Sequence, residues 1–260
     1  MNGSIQNDVL AAGRPAGIAD DEWQTRVDLA ACYRLFHYYR MTDLIYNHIS
    51  ARIPGSHDRF LINAYGLMYD EICASNLVVV DTEGKVLRDP TGLGINPGGF
   101  TIHSAVHAAR PDVFCVMHTH TPATVAVSCL QRGLMPLTQQ AMRFTGRIAT
   151  HAYEGIVFTD DERRRLIASL GNQRVMLLHN HGSLVCGRSI VEAFDIMYYL
   201  ERACQAQIGA MAGNAELIEC APAVAEKVAL QFARPNRESR VKHWPAMLRL
   251  LDRTDSSYRQ

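Results

Sequence analysis

The sequence predicts one α/β domain built on a mixed or antiparallel sheet. Three observations carry this expectation. Strand-like and helix-like stretches interleave without regular βαβ alternation, which argues against a doubly wound parallel sheet. The 260 residues are 48% hydrophobic, enough to bury a sizeable core. No internal repeat, low-complexity tract or linker divides the chain.

The elements follow in order. Residues 1–20 are polar and Gly/Ala-rich and read as a flexible segment. DDEWQTRVDLAACYRLFHYYR then spaces apolar residues at three to four and predicts a helix. HISARIP, RFLIN and NLVVVD read as strands, and TEGK as the hairpin turn leading into VLR. PGGFTIHSAVHAARPD reads as a loop and then a helix that stops before Pro111. VFCVMH is a buried strand, and Thr121 and Pro122 give N-cap and first-turn signals for a helix over TPATVAVSCL. DDERRRLIASLG is a helix closed by Gly171, and RVMLLH and SLVCG are strands. Ser189 and Glu192 have the spacing of a capping box for a long amphipathic helix, SIVEAFDIMYYLERACQAQIGAMAG. A helix near VAEKVALQF and a short one near WPAMLRLL complete the chain. This gives a main domain over 21–215 and a helical extension over 216–260, packed on the domain or on a neighbouring subunit.

Bulk properties exclude several function classes. The formal net charge is zero and no basic block interleaves with aromatics, so nucleic acid is not an expected partner. No apolar run approaches the ~18 residues that span a bilayer, so no membrane partner is expected. The N-terminus lacks a basic start followed by an apolar core, and so does not read as a signal peptide. Seven scattered cysteines form no CxxC pair and read as free thiols in a reducing cytoplasm. GxGxxG, GxxxxGK[ST] and GxSxG motifs are absent.

The histidines are the informative residues. VMHTH places His118 and His120 two apart at the end of a strand, on one face. By itself the pair is either a chelating pair or two satisfied polar residues. LLHNHG repeats the arrangement with His179 and His181. Two strand ends carrying imidazoles can converge, and three imidazoles with an open position form a recognised catalytic metal arrangement. His103 and His107 lie four apart on the expected helix. They lack the Glu of HExxH, and read as a solvated or partly packed face.

LIYNHISARIPG, FLINAYGLMYDEICASNLVVVD, NPGGFTIHSAVHAARPDVFCVMHTHTPA and VMLLHNHGSLVCGRSIVEAF together resemble the class II aldolase/adducin family, from about Glu22 to Ala212. The resemblance implies a three-layer α/β/α sandwich around a central, mostly antiparallel sheet. It also implies a homo-oligomer, a tetramer ahead of a dimer, with sites at subunit interfaces. It maps the family's divalent-metal ligands onto His118, His120 and His181. The ion is usually zinc, with manganese, iron, cobalt or nickel as alternatives, and His179 is a neighbour. It offers Tyr153 and His48 for proton transfer, and Asn47, Arg52, Asn63, Gly66, Gly98 and Gly99 for substrate contacts. Tyr153 corresponds to a tyrosine that the family supplies from a neighbouring subunit, or is a packed interface residue. Arg52 suits a bidentate grip on a carboxylate, or is a solvated strand residue.

The departures narrow the expected chemistry. The family's sugar-phosphate aldolases carry Ser-Ser-Glu, with Glu as acid/base, where this chain has Gly98 and Gly99. Their Gly-Asn phosphate loop is replaced by Asn47-His48. Proton transfer then falls to Tyr153, His48 or a water on the metal. The expected activity is a metal-dependent lyase acting on a small non-phosphorylated carbonyl compound or acid, by decarboxylation or retro-aldol cleavage. YNHIS, GFTIH and CASN resemble the adducin branch, so a non-catalytic oligomeric scaffold is the alternative. A non-haem iron oxygenase of an aromatic oxo acid is the third reading.

Overall fold

The computed structural model describes residues 13–155, 159–233 and 238–260. Residues 1–12 of the expected flexible segment, and 156–158 in THAYEGIVF, lie outside the described residues. The chain folds as α1 (Asp20–Tyr38), β1 (His48–Arg52), β2 (Arg59–Ile62), β3 (Val78–Asp81) and β4 (Val86–Arg88). It continues as α2 (Pro97–Ala109), β5 (Cys115–Thr119), α3 (Pro122–Ser128), α4 (Gln139–Met142), β6 (Ile148–His151), α5 (Asp160–Leu170), β7 (Val175–Leu178) and β8 (Gly182–Gly187). α6 (Ile190–Met211), α7 (Pro222–Ala233) and α8 (Glu238–Thr254) follow. The eight strands form one sheet in the order β4-β3-β2-β1-β5-β8-β7-β6. Every pairing is antiparallel except β6 with β7.

Alternation along the strands divides the interior into two cores, and this makes the fold a three-layer α/β/α sandwich. Cys115, Met117, Val175 and Leu177 face one side, where they join apolar residues of α1 and α6. Val116, Met176, Leu178 and Leu184 face the other, where they meet Ile102 and Val106 of α2 and Leu166 and Leu170 of α5. His118 follows Val116 in the two-residue period and so points toward the α2 side.

Several local signals act differently from their sequence reading. The NPGG stretch is helix and not loop: Pro97 opens α2, and the Asn96 side chain accepts from the Gly98 and Gly99 amides. Thr121 does not cap α3 with its side chain. Its hydroxyl donates instead to the buried Glu201 carboxylate of α6 at 2.6 Å, and Glu201 also accepts from the Thr124 amide. Ser189 caps α6, but the Glu192 carboxylate turns outward to the Arg188 amide and guanidinium, so only half the box forms. α8 is not short: it runs 17 residues and buries Trp244. It packs on α1 and α6, with the Trp244 Nε1–H donating to Asp28 at 3.3 Å. β6 had no signal of its own: four residues at the sheet edge with mostly half-buried side chains show no alternation.

Candidate metal centre

β5 and β8 are adjacent, and their register places Thr119 opposite Ser183. The tight turn from β7 into β8 carries His181. It is closed by a His181 amide bond to the Leu178 carbonyl at 3.1 Å, with Asn180 in the left-handed region at φ 58°. Gly182 lets the two strand ends meet, because a Cβ there would stand 2.2 Å from the Thr119 carbonyl oxygen. The strand ends that carry HxH and NHG are thereby brought together.

His118, His120 and His181 converge. Their nearest ring nitrogens are separated by 2.9 Å (His118 Nε2 to His120 Nε2) and 3.0 Å (His120 Nε2 to His181 Nε2). The other nitrogens of the first two rings are engaged. His118 Nδ1–H donates to the Ser183 carbonyl at 3.0 Å, and His120 Nδ1–H donates to Asp43 at 2.9 Å. Carbonyls and carboxylates only accept, so each of these rings in its neutral form carries the proton on Nδ1 and turns an Nε2 lone pair inward. Two lone pairs facing across 2.9 Å repel unless a cation lies between them. The donor set therefore fits a divalent metal held by three imidazoles. Among the described residues, this trio is the group of His, Cys, Asp or Glu side chains able to share an ion.

Burial keeps the His118 and His181 rings neutral. It pushes the His118 imidazole well below its usual value, and neighbouring His48 and His120 add to the effect. It lowers His181 to about 4, with help from His120. Neutral imidazole is the form that ligates.

Asp43 was not a sequence candidate. It precedes Leu44, whose φ of 45° is unusual outside glycine, and its carboxylate faces the cleft. A carboxylate that holds a ligating histidine from behind fixes its orientation and basicity. Asp43→Asn is expected to weaken zinc affinity about 10–100-fold while leaving the fold intact. Competition with a chromophoric chelator measures this, and unchanged affinity would remove Asp43 from the site.

A cleft of about 400 Å³ opens over the triad. His48, Gly98, Gly99 and Tyr153 line it together with the three converging histidines. Tyr153 stands beside its own chain's triad, its ring centroid 5.9 Å from that of His181. The other expected contacts are placed elsewhere. Arg52 is buried and donates to the carbonyls of Val113, His57, His107 and Arg110, so its fork ties the C-terminal end of α2 to the neighbouring loops, and Arg52 does not line the cleft. Asn47 is buried between the Met41 carbonyl, to which it donates, and the His120 amide, from which it accepts at 3.1 Å. It thus fixes the backbone of a triad member. Asn63 accepts from the Tyr33 hydroxyl at 3.0 Å inside the core. Gly66 takes a turn at φ 114° beside Tyr65 and is not part of the cleft wall. His103 and His107 are fully buried, not a solvated face: they bond to His48 and Ser50 from α2.

The Class II Aldolase and Adducin N-terminal domain matches residues 27–208. The chain belongs to the class II aldolase and adducin family. It is 48% identical to a candidate aldolase class 2 protein of Pseudomonas aeruginosa, over 96% of this chain and 98% of that one. It is 42% identical to α-adducin of Rattus norvegicus, over 72% of this chain but 26% of the adducin. The crystal structure of an aldolase II superfamily protein from Pseudomonas syringae superposes with a TM-score of 0.89 at 49% identity, covering 94% of this chain and 98% of that one. L-fuculose 1-phosphate aldolase from Glaciozyma antarctica superposes with a TM-score of 0.82 at 25% identity, over 97% and 98% of the two chains. Among the described residues, no helix of this family member is long and apolar enough to cross a membrane.

The buried histidines also set an acid limit. His107 is held down to about 3 by burial and the Arg52 charge, and burial lowers His48, His103 and His118 well below their usual value. In the unfolded chain each protonates near ~6.5. Folded values are therefore depressed, and the unfolded chain binds more protons below that pH. Stability of the metal-free protein is full above about pH 6.5 and falls as the pH drops toward 4, by about 1.4 kcal/mol per pH unit for each such ring. Urea midpoints across this window test the expectation, and a flat profile would contradict it.

Proposed function

We propose that the chain is a divalent-metal lyase of the class II aldolase type. It cleaves a C–C bond next to a carbonyl or carboxylate of a small, non-phosphorylated substrate, by decarboxylation or retro-aldol cleavage. The observation that carries this reading is the convergence of three imidazole nitrogens at the floor of an open cleft. A divalent metal held there, zinc ahead of manganese, iron, cobalt or nickel, supplies a Lewis acid that draws off negative charge developing on a substrate oxygen.

The chain's own residues supply the rest. Among the described residues no lysine or arginine lines the cleft, which supports a substrate without a phosphate. The His48 ring fills the volume that a side chain at position 99 would take, and Gly98 leaves the wall beside the substrate space bare of the family's carboxylate. His48 and Tyr153 flank that space and are the groups placed to hold or move a proton. Tyr153 is 56% exposed, which fits a cleft completed by a neighbouring subunit in a homo-oligomer, a tetramer ahead of a dimer. Free cysteines without a disulfide among the described residues support a cytoplasmic setting.

Zinc-loaded protein and a panel of phosphorylated and non-phosphorylated hydroxy and oxo acids test the proposal. Product carbon dioxide or aldehyde is expected from non-phosphorylated members, lost with a chelator and restored by metal. Metal binding without turnover anywhere on the panel would favour the second reading, a non-catalytic scaffold, which the shared sequence with α-adducin supports. Native iron with substrate-dependent oxygen uptake would replace the lyase by an oxygenase.

A further inference from the structure

A second cleft lies at the far end of the strands that carry the triad. Arg174 precedes Val175, the first residue of β7, and Arg188 follows Gly187, the last residue of β8. His181 stands at the other end of the same two strands, between Leu178 and Gly182. Val175 and Ile196 in the wall of this second cleft belong to the core on the α6 side of the sheet, whereas His118 points to the α2 side. Its volume is about 260 Å³.

The wall is rich in arginine. Arg143, Arg147, Arg174 and Arg188 reach it from four separate stretches of chain, and among the described residues Glu192 is the one carboxylate that lines it. Guanidinium groups keep their charge in proteins, so crowding of this kind calls for anions. Arg174 and Arg188 share Glu192, at 3.3 and 2.7 Å. Arg143 pairs with the buried Asp195 behind the wall. Asp112 lies 3.8 Å from Arg174, but Arg110 holds both of its oxygens, at 2.8 and 2.9 Å. Arg147 is half-buried and has no ion pair or side-chain hydrogen bond among the described residues. Four guanidinium groups are thus set against two carboxylates, Glu192 and Asp195, among the described residues.

We infer that this cleft is a second binding site, separate from the triad, for a compact dianion: a phosphate group or a short dicarboxylate. Two negative charges balance the two guanidinium groups that Glu192 and Asp195 leave over. The planar forks of arginine match the oxygens of phosphate and carboxylate alike, and Arg147 is the fork with no other task. The volume falls just below the roughly 300 Å³ at which pockets for drug-sized ligands begin, which suits a small anion. The wall of the triad cleft carries no lysine or arginine among the described residues, so the two sites differ in the ligand they select.

Titration calorimetry on the full-length, metal-free protein tests this, at mildly alkaline pH and with chloride at physiological strength to screen diffuse attraction. Inorganic phosphate and succinate are the probes. Saturable binding of at least one of them, one per chain, is expected. Tighter phosphate assigns a phosphorylated ligand and tighter succinate a dicarboxylate, and either result supports the site. Arg147→Ala is expected to fold normally, because that side chain holds nothing in place, and to weaken the probe about 10-fold or more. Arg188→Ala is expected to act in the same direction, with Glu192 still held by the Arg188 amide and by Arg174. His118→Ala is expected to leave the affinity unchanged. Binding of neither probe, or equal affinity in Arg147→Ala and the wild type, overturns the inference. So does loss of binding in His118→Ala, which would place the anion at the triad. Failure of the wild type to bind zinc or to act as a lyase would leave the anion result standing.

Discussion

His118→Ala is expected to lose metal binding and the proposed lyase activity in the same step. His118 is the most enclosed of the three ligand histidines, 1% exposed, and its ring is fixed by the Ser183 carbonyl. Deleting it leaves two imidazoles, His181 on the turn between β7 and β8 and His120 held by Asp43. Zinc affinity should fall by more than the roughly 10–100-fold that loss of an outer partner costs. The Ser183 carbonyl also loses its donor inside the fold, for about 1–3 kcal/mol of stability. His120→Ala separates the two effects, since that ring is partly exposed and its loss strands no buried carbonyl. Metal content by elemental analysis and urea midpoints on both variants check this. Full metal occupancy in His118→Ala would remove it from the ligand set.

Gly182→Ala is expected to cost about 3 kcal/mol, at the upper end for overpacking. The obstacle is the Thr119 carbonyl oxygen, 2.2 Å from the added Cβ, and backbone in the middle of a sheet cannot step aside as a side chain does. Separating β5 from β8 would also spread His181 from its partners, so metal affinity should fall with stability. Gly209→Ala is the control: its Cβ meets nothing within 4 Å on α6. That change should be neutral or stabilise by about 0.5–1 kcal/mol through helix propensity. Denaturation midpoints of the pair measure the contrast, and equal stability in the two would contradict the role given to Gly182.

The convergence of His118, His120 and His181 was legible because these residues announce themselves locally. Both HxH and NHG end apolar strands, and adjacency of β5 and β8 does the rest. Most strands and helices were legible for the same reason, through period and punctuation. What the sequence hid depends on distant partners. Nothing around Asp43 says that it will sit behind His120, 77 positions away. Nothing around Arg52 says that four carbonyls will claim its guanidinium. His103 and His107 looked solvated because their polar partners, His48 and Ser50, lie on another element. Thr121 looked like a cap until Glu201 of α6 reached its helix. Polar residues that satisfy one another across the fold carry no periodic signal.

X-ray absorption at the zinc edge of the metal-loaded protein tests the central claim most directly. Three imidazole nitrogens at about 2.0–2.1 Å, with the remaining positions taken by light oxygen scatterers, are expected. A sulfur ligand, or a shell closed by four protein side chains, would contradict an open three-histidine centre.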